Sequence, residues 1–223
     1  MATDSESPRP VVTLSQGKVV GTRLKDTFPE FVDAFLGIPY AQPPIGDLRF
    51  RPTVKIPESQ NTTIDASKYG PIAPGDPLLP EGMEQSEDCL TANVFRKSQG
   101  AIGRTATGSS DSDKLLPVAV YLHGGGFNRG SASGHNTASM VAWSEEPFVA
   151  VSFGYRLGAL GFLPSTLTKK EGLLNLGLHD QIVLFQWVQK NIEAFGGDPG
   201  NVTLFGVSAG AHSVWCLLSN ELK

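Results

Sequence analysis

Val202-Thr203-Leu204-Phe205 runs directly into Gly206-Val207-Ser208-Ala209-Gly210. An apolar run, then G-x-S-x-G, then residues that suit a helix start: the pattern predicts a strand, a sharp turn and a helix. A serine on such a turn stands out above the sheet, exposed at the strand's end. Glycine two positions before and two after it is what a crowded turn demands, because a side chain there would meet neighbouring backbone.

Working back from that stretch, two more apolar runs stand out. Residues 117–122 (Pro-Val-Ala-Val-Tyr-Leu) and 148–153 (Phe-Val-Ala-Val-Ser-Phe) are continuous, as expected of strands covered on both faces. Between the second of these and Val202, Leu178, Ile182, Phe185, Val188 and Ile192 recur at helical spacing over residues 177–195, closed by Gly196-Gly197 as a C-cap. Strands alternating with helices predict an α/β fold with a mostly parallel sheet and right-handed crossovers. Ligands in such sheets gather at the carboxyl ends of the strands. His123-Gly124-Gly125-Gly126 and Ser208 both fall there.

The first hundred residues read differently. Residues 11–14 and 18–23 flank Ser15-Gln16-Gly17 as a β-hairpin, 34–38 form a short strand and 90–95 another. Residues 40–79 carry recurring prolines and read as a long surface segment, and 100–114, rich in Gly, Ser, Thr and Asp, as a flexible loop. No repeat is visible, and residues 1–223 read as a single domain.

Composition narrows the function. The formal charge is −4 and charged residues are 18%, with no basic run of the kind nucleic-acid binding needs. No window approaches 18 uninterrupted apolar residues, so no membrane partner is expected. Two cysteines, Cys89 and Cys216, do not make a disulfide framework, and the acidic, polar start lacks a signal-peptide pattern; both point to a cytoplasmic location. Asn61-Thr62-Thr63 and Asn201-Val202-Thr203 match the glycosylation sequon and are read as unused. No metal spacing, Walker loop or G-x-G-x-x-G appears, so no cofactor is implied.

Acyl transfer needs a nucleophile, a base for its proton, and donors for the oxyanion that forms on the carbonyl oxygen. Ser208 supplies the first. The N–H of Ala209 at the helix start, and the amides of the glycine triplet, are the candidate donors.

The chain resembles the type-B carboxylesterases of the α/β-hydrolase fold, which include the cholinesterases. The likeness runs through Phe35-Leu36-Gly37-Ile38-Pro39-Tyr40-Ala41, Pro43-Pro44-Ile45-Gly46-Asp47-Leu48-Arg49-Phe50, Ser86-Glu87-Asp88-Cys89-Leu90, HGGGF at 123–127 and Gly154-Tyr155-Arg156. It continues through Asn175-Leu176-Gly177-Leu178-His179-Asp180-Gln181 and Phe195-Gly196-Gly197-Asp198-Pro199 to the serine turn. The resemblance implies the N-terminal half of a serine carboxylic-ester hydrolase, with a small-molecule ester as substrate. Ser208 becomes the acyl-enzyme nucleophile, and Gly125, Gly126 and Ala209 the oxyanion-hole amides. It also implies buried structural ion pairs Arg49–Glu87 and Arg156–Asp180.

Departures sharpen this. The usual disulfide partner of Cys89 is absent from residues 69–74, so Cys89 is expected free, and Cys216 is read as buried and inert. Residues 72–85 hold no aromatic, which disfavours choline esters. Val207 stands where glutamate is frequent, and Gly154 where asparagine is. His123 is expected to shape the glycine loop, and His135 and His179 to be structural or solvated. His212, four residues past Ser208, faces the wrong way for a base. The family's acid and histidine follow the nucleophile, yet only His212 and Glu221 do so here. The alternatives are therefore a truncated, inactive carboxylesterase-like protein or a non-catalytic cholinesterase-like binding module. Truncation would leave residues 202–205 as a bare sheet edge and make the chain poorly soluble. Hormone-sensitive-lipase-like esterases share the two glycine motifs but not Ser86-Glu87-Asp88-Cys89-Leu90. The oligomeric state is not readable.

Overall fold

A computed structural model describes residues 8–25, 28–59, 61–75, 84–98 and 114–219. The loop expected over residues 100–114 lies outside these, apart from Lys114.

In chain order the elements are β1 (Val11–Leu14), β2 (Gly17–Val20), β3 (Thr22–Leu24), β4 (Val32–Pro39), β5 (Thr63–Asp65), β6 (Thr91–Lys97) and β7 (Leu116–Leu122). Then come α1 (Thr137–Trp143), β8 (Val149–Phe153), α2 (Gly158–Phe162), α3 (Thr166–Lys170), α4 (Leu176–Asn191), β9 (Gly197–Gly206) and α5 (Ala209–Leu218). A small sheet has the order β1-β2-β5, and the main sheet the order β3-β4-β6-β8-β7-β9.

The expected hairpin is there, with Val11 opposite Val20 and Leu14 opposite Gly17. The strand read over 18–23, however, is two strands in two sheets. The chain crosses between them at Gly21, where an added Cβ would sit 2.5 Å from the Ala34 carbonyl oxygen and 2.7 Å from the Phe35 ring. The burial alternation breaks at this point, with Gly21 and Thr22 both buried, and the glycine is the mark the sequence leaves of it. The surface segment expected at 40–79 also needs correcting. It contains β5, paired parallel to β2, and buries Tyr40, Ala41, Ala66, Ile72 and Ala73. Three residues among polar neighbours are too few to show a period.

The sheet is parallel only where strands and helices alternate. β8, β7 and β9 run parallel, whereas β3, β4, β6 and β8 pair antiparallel in turn. From β7 the chain crosses through α1 to β8 on one side, then through α4 to β9 on the other. Two right-handed crossovers in opposite directions place their helices on opposite faces. The side chains agree. Phe35, Val94, Val120, Val151 and Phe153 share a cluster with Leu184, Trp187 and Val188 of α4, while Ala34, Leu36, Phe95 and Ala150 share one with Ala138, Val141 and Ala142 of α1. Neighbouring residues point to opposite faces, as the strand period requires. Val214 and Leu217 of α5 pack on the α4 side.

The helix expected over 177–195 is α4 followed by a 3-10 turn, Ile192–Phe195, and it closes at Gly196 with φ 83°. Gln16, at the hairpin turn, joins the far ends of the chain: Trp187 Nε1 donates to its Oε1 at 2.8 Å, and its own Nε2 donates to the Pro39 carbonyl at 2.8 Å. Asn136 caps α1 by accepting from the Ser139 N–H.

Both cysteines are free. Cys89 is buried, and desolvation pushes its thiol from 9.0 up to about 12. Cys216 is half-buried rather than buried, because it lies on a helix with one open side. The rise at Cys89 cuts its thiolate fraction at neutral pH by about a thousandfold. We expect iodoacetamide to modify Cys216 in the native protein and Cys89 only in denaturant, read by peptide mass spectrometry. Equal native rates would contradict the packing described.

Candidate functional site

The carboxyl ends of β7, β8 and β9 meet at one rim. The chain runs from β7 to β8 and then from β8 back across β7 to β9, so the direction of crossing reverses at β7, the place where open α/β sheets receive ligands. The loop from His123 to Gly130 leaves β7 at that point, and Ser208 leaves β9 beside it.

Ser208 adopts φ 53° and ψ −121°, a conformation costly for a residue with a side chain, and it is exposed. The flanking glycines hold it there. A Cβ on Gly206 would stand 2.6 Å from the Gly210 carbonyl carbon and 2.9 Å from the Leu122 carbonyl oxygen. A Cβ on Gly210 would overlap the Leu122 oxygen and stand 2.9 Å from that of His123. The start of α5 thus rests directly on the backbone that leads into the glycine loop.

That loop touches the serine turn from the other side. A Cβ on Gly124 would lie 2.6 Å from the Val207 carbonyl oxygen and 3.1 Å from the Ser208 Cβ. Gly125 has φ 114° and Gly126 φ 62°, while Phe127 takes φ 60° and packs its ring 4.8 Å from that of Phe162. The Gly125 carbonyl accepts from both Asn128 and Arg129, each at 3.2 Å, which closes the turn. Among the described residues, the N–H groups of Gly125, Gly126 and Ala209 donate to no protein acceptor. At Ala209 this follows from its place at the first helical position.

His123 is buried beneath this loop. Its ring stacks on Tyr155 with centroids 4.4 Å apart, and Tyr155 donates its hydroxyl to the His123 carbonyl at 2.8 Å. Nδ1 lies 2.9 Å from the Gly124 carbonyl oxygen. A carbonyl can only accept, so Nδ1 carries the hydrogen. Desolvation lowers the pKa of His123 from 6.5 to about 4, although the bond to Gly124 works the other way. The folded protein therefore resists a proton that the unfolded chain takes up near 6.5. Stability is full above that value and falls as pH drops towards 4, by up to about 1.4 kcal/mol per pH unit from this one group. Urea midpoints at pH 7 and pH 5 should show this loss, and His123→Asn should flatten it.

His212 is exposed on α5, with its backbone N–H bonded to the Ser208 carbonyl at 3.0 Å, and His179 is exposed on α4. His135 lies against Tyr121, centroids 4.7 Å apart, with Nε2 3.1 Å from Met140 Sδ. Among the described residues, no histidine or carboxylate is hydrogen-bonded to the Ser208 hydroxyl. Glu221 lies outside them. Nor, among them, do three His, Cys, Asp or Glu side chains gather as a metal-binding group.

Arg156 and Asp180 anchor the rim below. Arg156 Nη2 and Nε donate to Asp180 Oδ1 and Oδ2 at 2.7 and 2.8 Å, and its backbone N–H to Oδ2 at 3.0 Å. Thr53 adds a hydroxyl to Oδ1 at 2.5 Å, and Arg156 Nη1 reaches the Arg51 carbonyl at 2.8 Å. Arg49 and Glu87 do pair, at 2.6 Å, but Arg49 is 47% exposed. The expected burial is wrong there because Arg49 directly follows an exposed 3-10 turn, Gly46–Leu48, rather than a core element.

Two features of the rim escaped the sequence reading. Tyr155 is the shelf under His123, and Gly130 is required because its Cβ would overlap the Gly124 carbonyl oxygen and stand 2.9 Å from His123 Nδ1. A glycine closing a loop that three glycines open was the available signal. Gly154 is explained too: a Cβ there would meet the Cys89 carbonyl oxygen at 2.6 Å.

Comparison with known proteins agrees with this construction. Residues 8–223 match the profile of the carboxylesterase family. Secreted lipase 4 of Gibberella zeae is 44% identical over 208 residues, covering 89% of this chain and 35% of the lipase. Para-nitrobenzyl esterase of Bacillus subtilis is 39% identical over 216 residues, covering 94% of this chain and 40% of that esterase. Among solved structures, a thermophilic pNB esterase superposes with TM-score 0.78 at 39% identity, covering 94% of this chain and 41% of its own. Aspergillus niger EstA gives 0.77 at 41%, covering 94% and 38%. The chain thus spans between 35% and 41% of the length of these relatives. With the family profile matched over residues 8–223 and relatives 39–44% identical over most of that span, the chain belongs to the carboxylesterase family.

Proposed function

We propose that these residues form the nucleophile and oxyanion half of a serine carboxylic-ester hydrolase acting on small-molecule esters. The observation that carries it is the set of unengaged N–H groups at Gly125, Gly126 and Ala209 around an exposed, strained serine. Ser208 Oγ attacks the ester carbonyl carbon while its proton passes to a base. Negative charge builds on the carbonyl oxygen, within the three amides; the carbonyl then re-forms as the ester C–O bond breaks, and the base returns the proton to the departing alcohol, which leaves the acyl group on Ser208. Water then attacks the acyl carbon and releases the acid. Each oxyanion donor of this kind is worth about 3–4 kcal/mol in the transition state. Val207 leaves no carboxylate beside the serine, and the two free thiols support a reducing compartment as part of the proposal.

A second reading has a specific support: no base reaches Ser208 among the described residues. On that reading the residues in hand bind and polarise an ester but turn it over slowly, keeping at most the roughly 10³–10⁴-fold over water that donors and binding supply. A fluorophosphonate probe on the purified chain, beside Ser208→Ala, separates the two. Labelling that depends on Ser208 supports the first. Identical adducts on both proteins would remove Ser208 from the mechanism.

A further inference from the structure

Between the hairpin turn at Ser15-Gln16, residues 55–56 and one face of α4 lies a recess of about 440 Å³, open to solvent on one side. Sites for small ligands commonly measure about 300–1,000 Å³. Val183, Gln186 and Lys190 line it at spacings of three and four, so they share a face of the helix. Gln181 stands on the opposite face, where its Nε2 bonds the Ser213 hydroxyl of α5 at 3.1 Å. The recess and α5 therefore lie on opposite sides of α4.

The wall combines flat apolar surface with polar groups that the fold leaves unspent. The buried rings of Tyr40 and Trp187 line it, with Ile56 and Val183. Gln16 is only 6% exposed, and its Nε2 carries two hydrogens but donates one, to the Pro39 carbonyl. Asn191 is 5% exposed and donates to the Trp187 carbonyl, while its Oδ1 accepts from no donor among the described residues. Buried polar groups are ordinarily partnered, so a spare donor and a spare acceptor in one recess call for an occupant.

Charge selects it. Two cations, Lys55 and Lys190, line the recess and no Asp or Glu does, in a chain of net charge −4. Lys190 pairs with the exposed Glu58 at 2.6 Å, whereas Lys55 has no carboxylate partner among the described residues. Glu193 lines the open groove that continues past Asn191, not the recess itself. We propose that the recess binds a small aromatic carboxylate, its ring against Trp187 and its charge held by Lys55 and the spare hydrogen of Gln16. Water serves Asn191 Oδ1. The site is independent of any catalytic role for Ser208.

Trp187 makes the test direct. Replacing the exposed Trp143 and Trp215 by phenylalanine leaves it as the one tryptophan of the chain. Benzoate titrated into that protein should change its emission saturably, with a dissociation constant on the order of 1 mM. The thermal midpoint should rise with it, because a ligand of the folded state stabilises that state. Benzamide, with the ring but no charge, and acetate, with the charge but no ring, should each bind about tenfold more weakly. Lys55→Gln, at an exposed position, should weaken benzoate about fivefold, and Lys55→Arg should keep it. A response that never saturates would overturn the proposal and leave the recess to water. Benzamide or acetate binding as well as benzoate, or a Lys55→Gln protein binding it as the parent does, would overturn it too.

Discussion

Asp180→Ala is expected to lower unfolding stability by about 3–5 kcal/mol, the cost of leaving a buried partner charge uncompensated. Domains are commonly stable by about 5–15 kcal/mol, so this change takes a large share. The magnitude follows from burial, since the side chains of Arg156 and Asp180 are 3% and 0% exposed. It follows also from the number of donors stranded at once: three from Arg156 and the hydroxyl of Thr53. The surface pair Arg49–Glu87 provides the contrast, because exposed pairs contribute about 0–1 kcal/mol. Urea unfolding of Asp180→Ala and Glu87→Ala side by side tests both. Comparable small losses would mean that the Arg156 network does not anchor the rim. A double change to apolar residues of similar size, Arg156→Met with Asp180→Leu, should recover much of the loss, because it removes the charge instead of orphaning it.

Gly210→Val should be the most damaging substitution near the serine. Even its Cβ would overlap the Leu122 carbonyl oxygen, and the obstacle is β7 backbone, which cannot rotate away as a side chain can. Overpacking in cores costs about 1–3 kcal/mol, occasionally more, and this case belongs at the top of that range or beyond it. Gly134→Ala is the matched control, since its new Cβ would meet nothing closer than Ser131 Oγ at 3.6 Å and its φ is not positive. Thermal unfolding should separate the two variants by several degrees, with Gly134→Ala near the parent. Parity between them would mean that α5 shifts freely on β7, which the contacts do not allow.

The parts of this fold that sequence reveals are those with a repeating pattern or a steric necessity. β7, β8 and β9 show as continuous apolar runs, α4 is long enough to show its helical period, and Gly206 and Gly210 flank Ser208 because no side chain fits. The parts it hides depend on contacts with distant residues. Gly21 sends the chain from one sheet to the other only because Ala34 and Phe35 occupy the space beside it. β5 is three residues long and exists because β2 is there to pair with it. The short helices α1, α2 and α3 span 7, 5 and 5 residues, too few turns for a periodic face. At the rim, the glycine loop and Ser208 were both legible, but their contact through Gly124 was not. Neither was the shelf that Tyr155 makes under His123, which sets together two rings from the segments that follow β7 and β8.

The bond from Trp187 to Gln16 spans 171 residues of chain. At roughly 5–20 residues per second on a ribosome, the hairpin that carries Gln16 is made roughly 10–30 s before its partner exists. For that interval the turn has no indole to receive, and the small sheet must wait for α4 before it can lock onto the main one. Trp187 is then a reporter of that long-range closure, and with Trp143 and Trp215 replaced the emission of its indole dates the moment when residues 11–20 lock onto the main sheet.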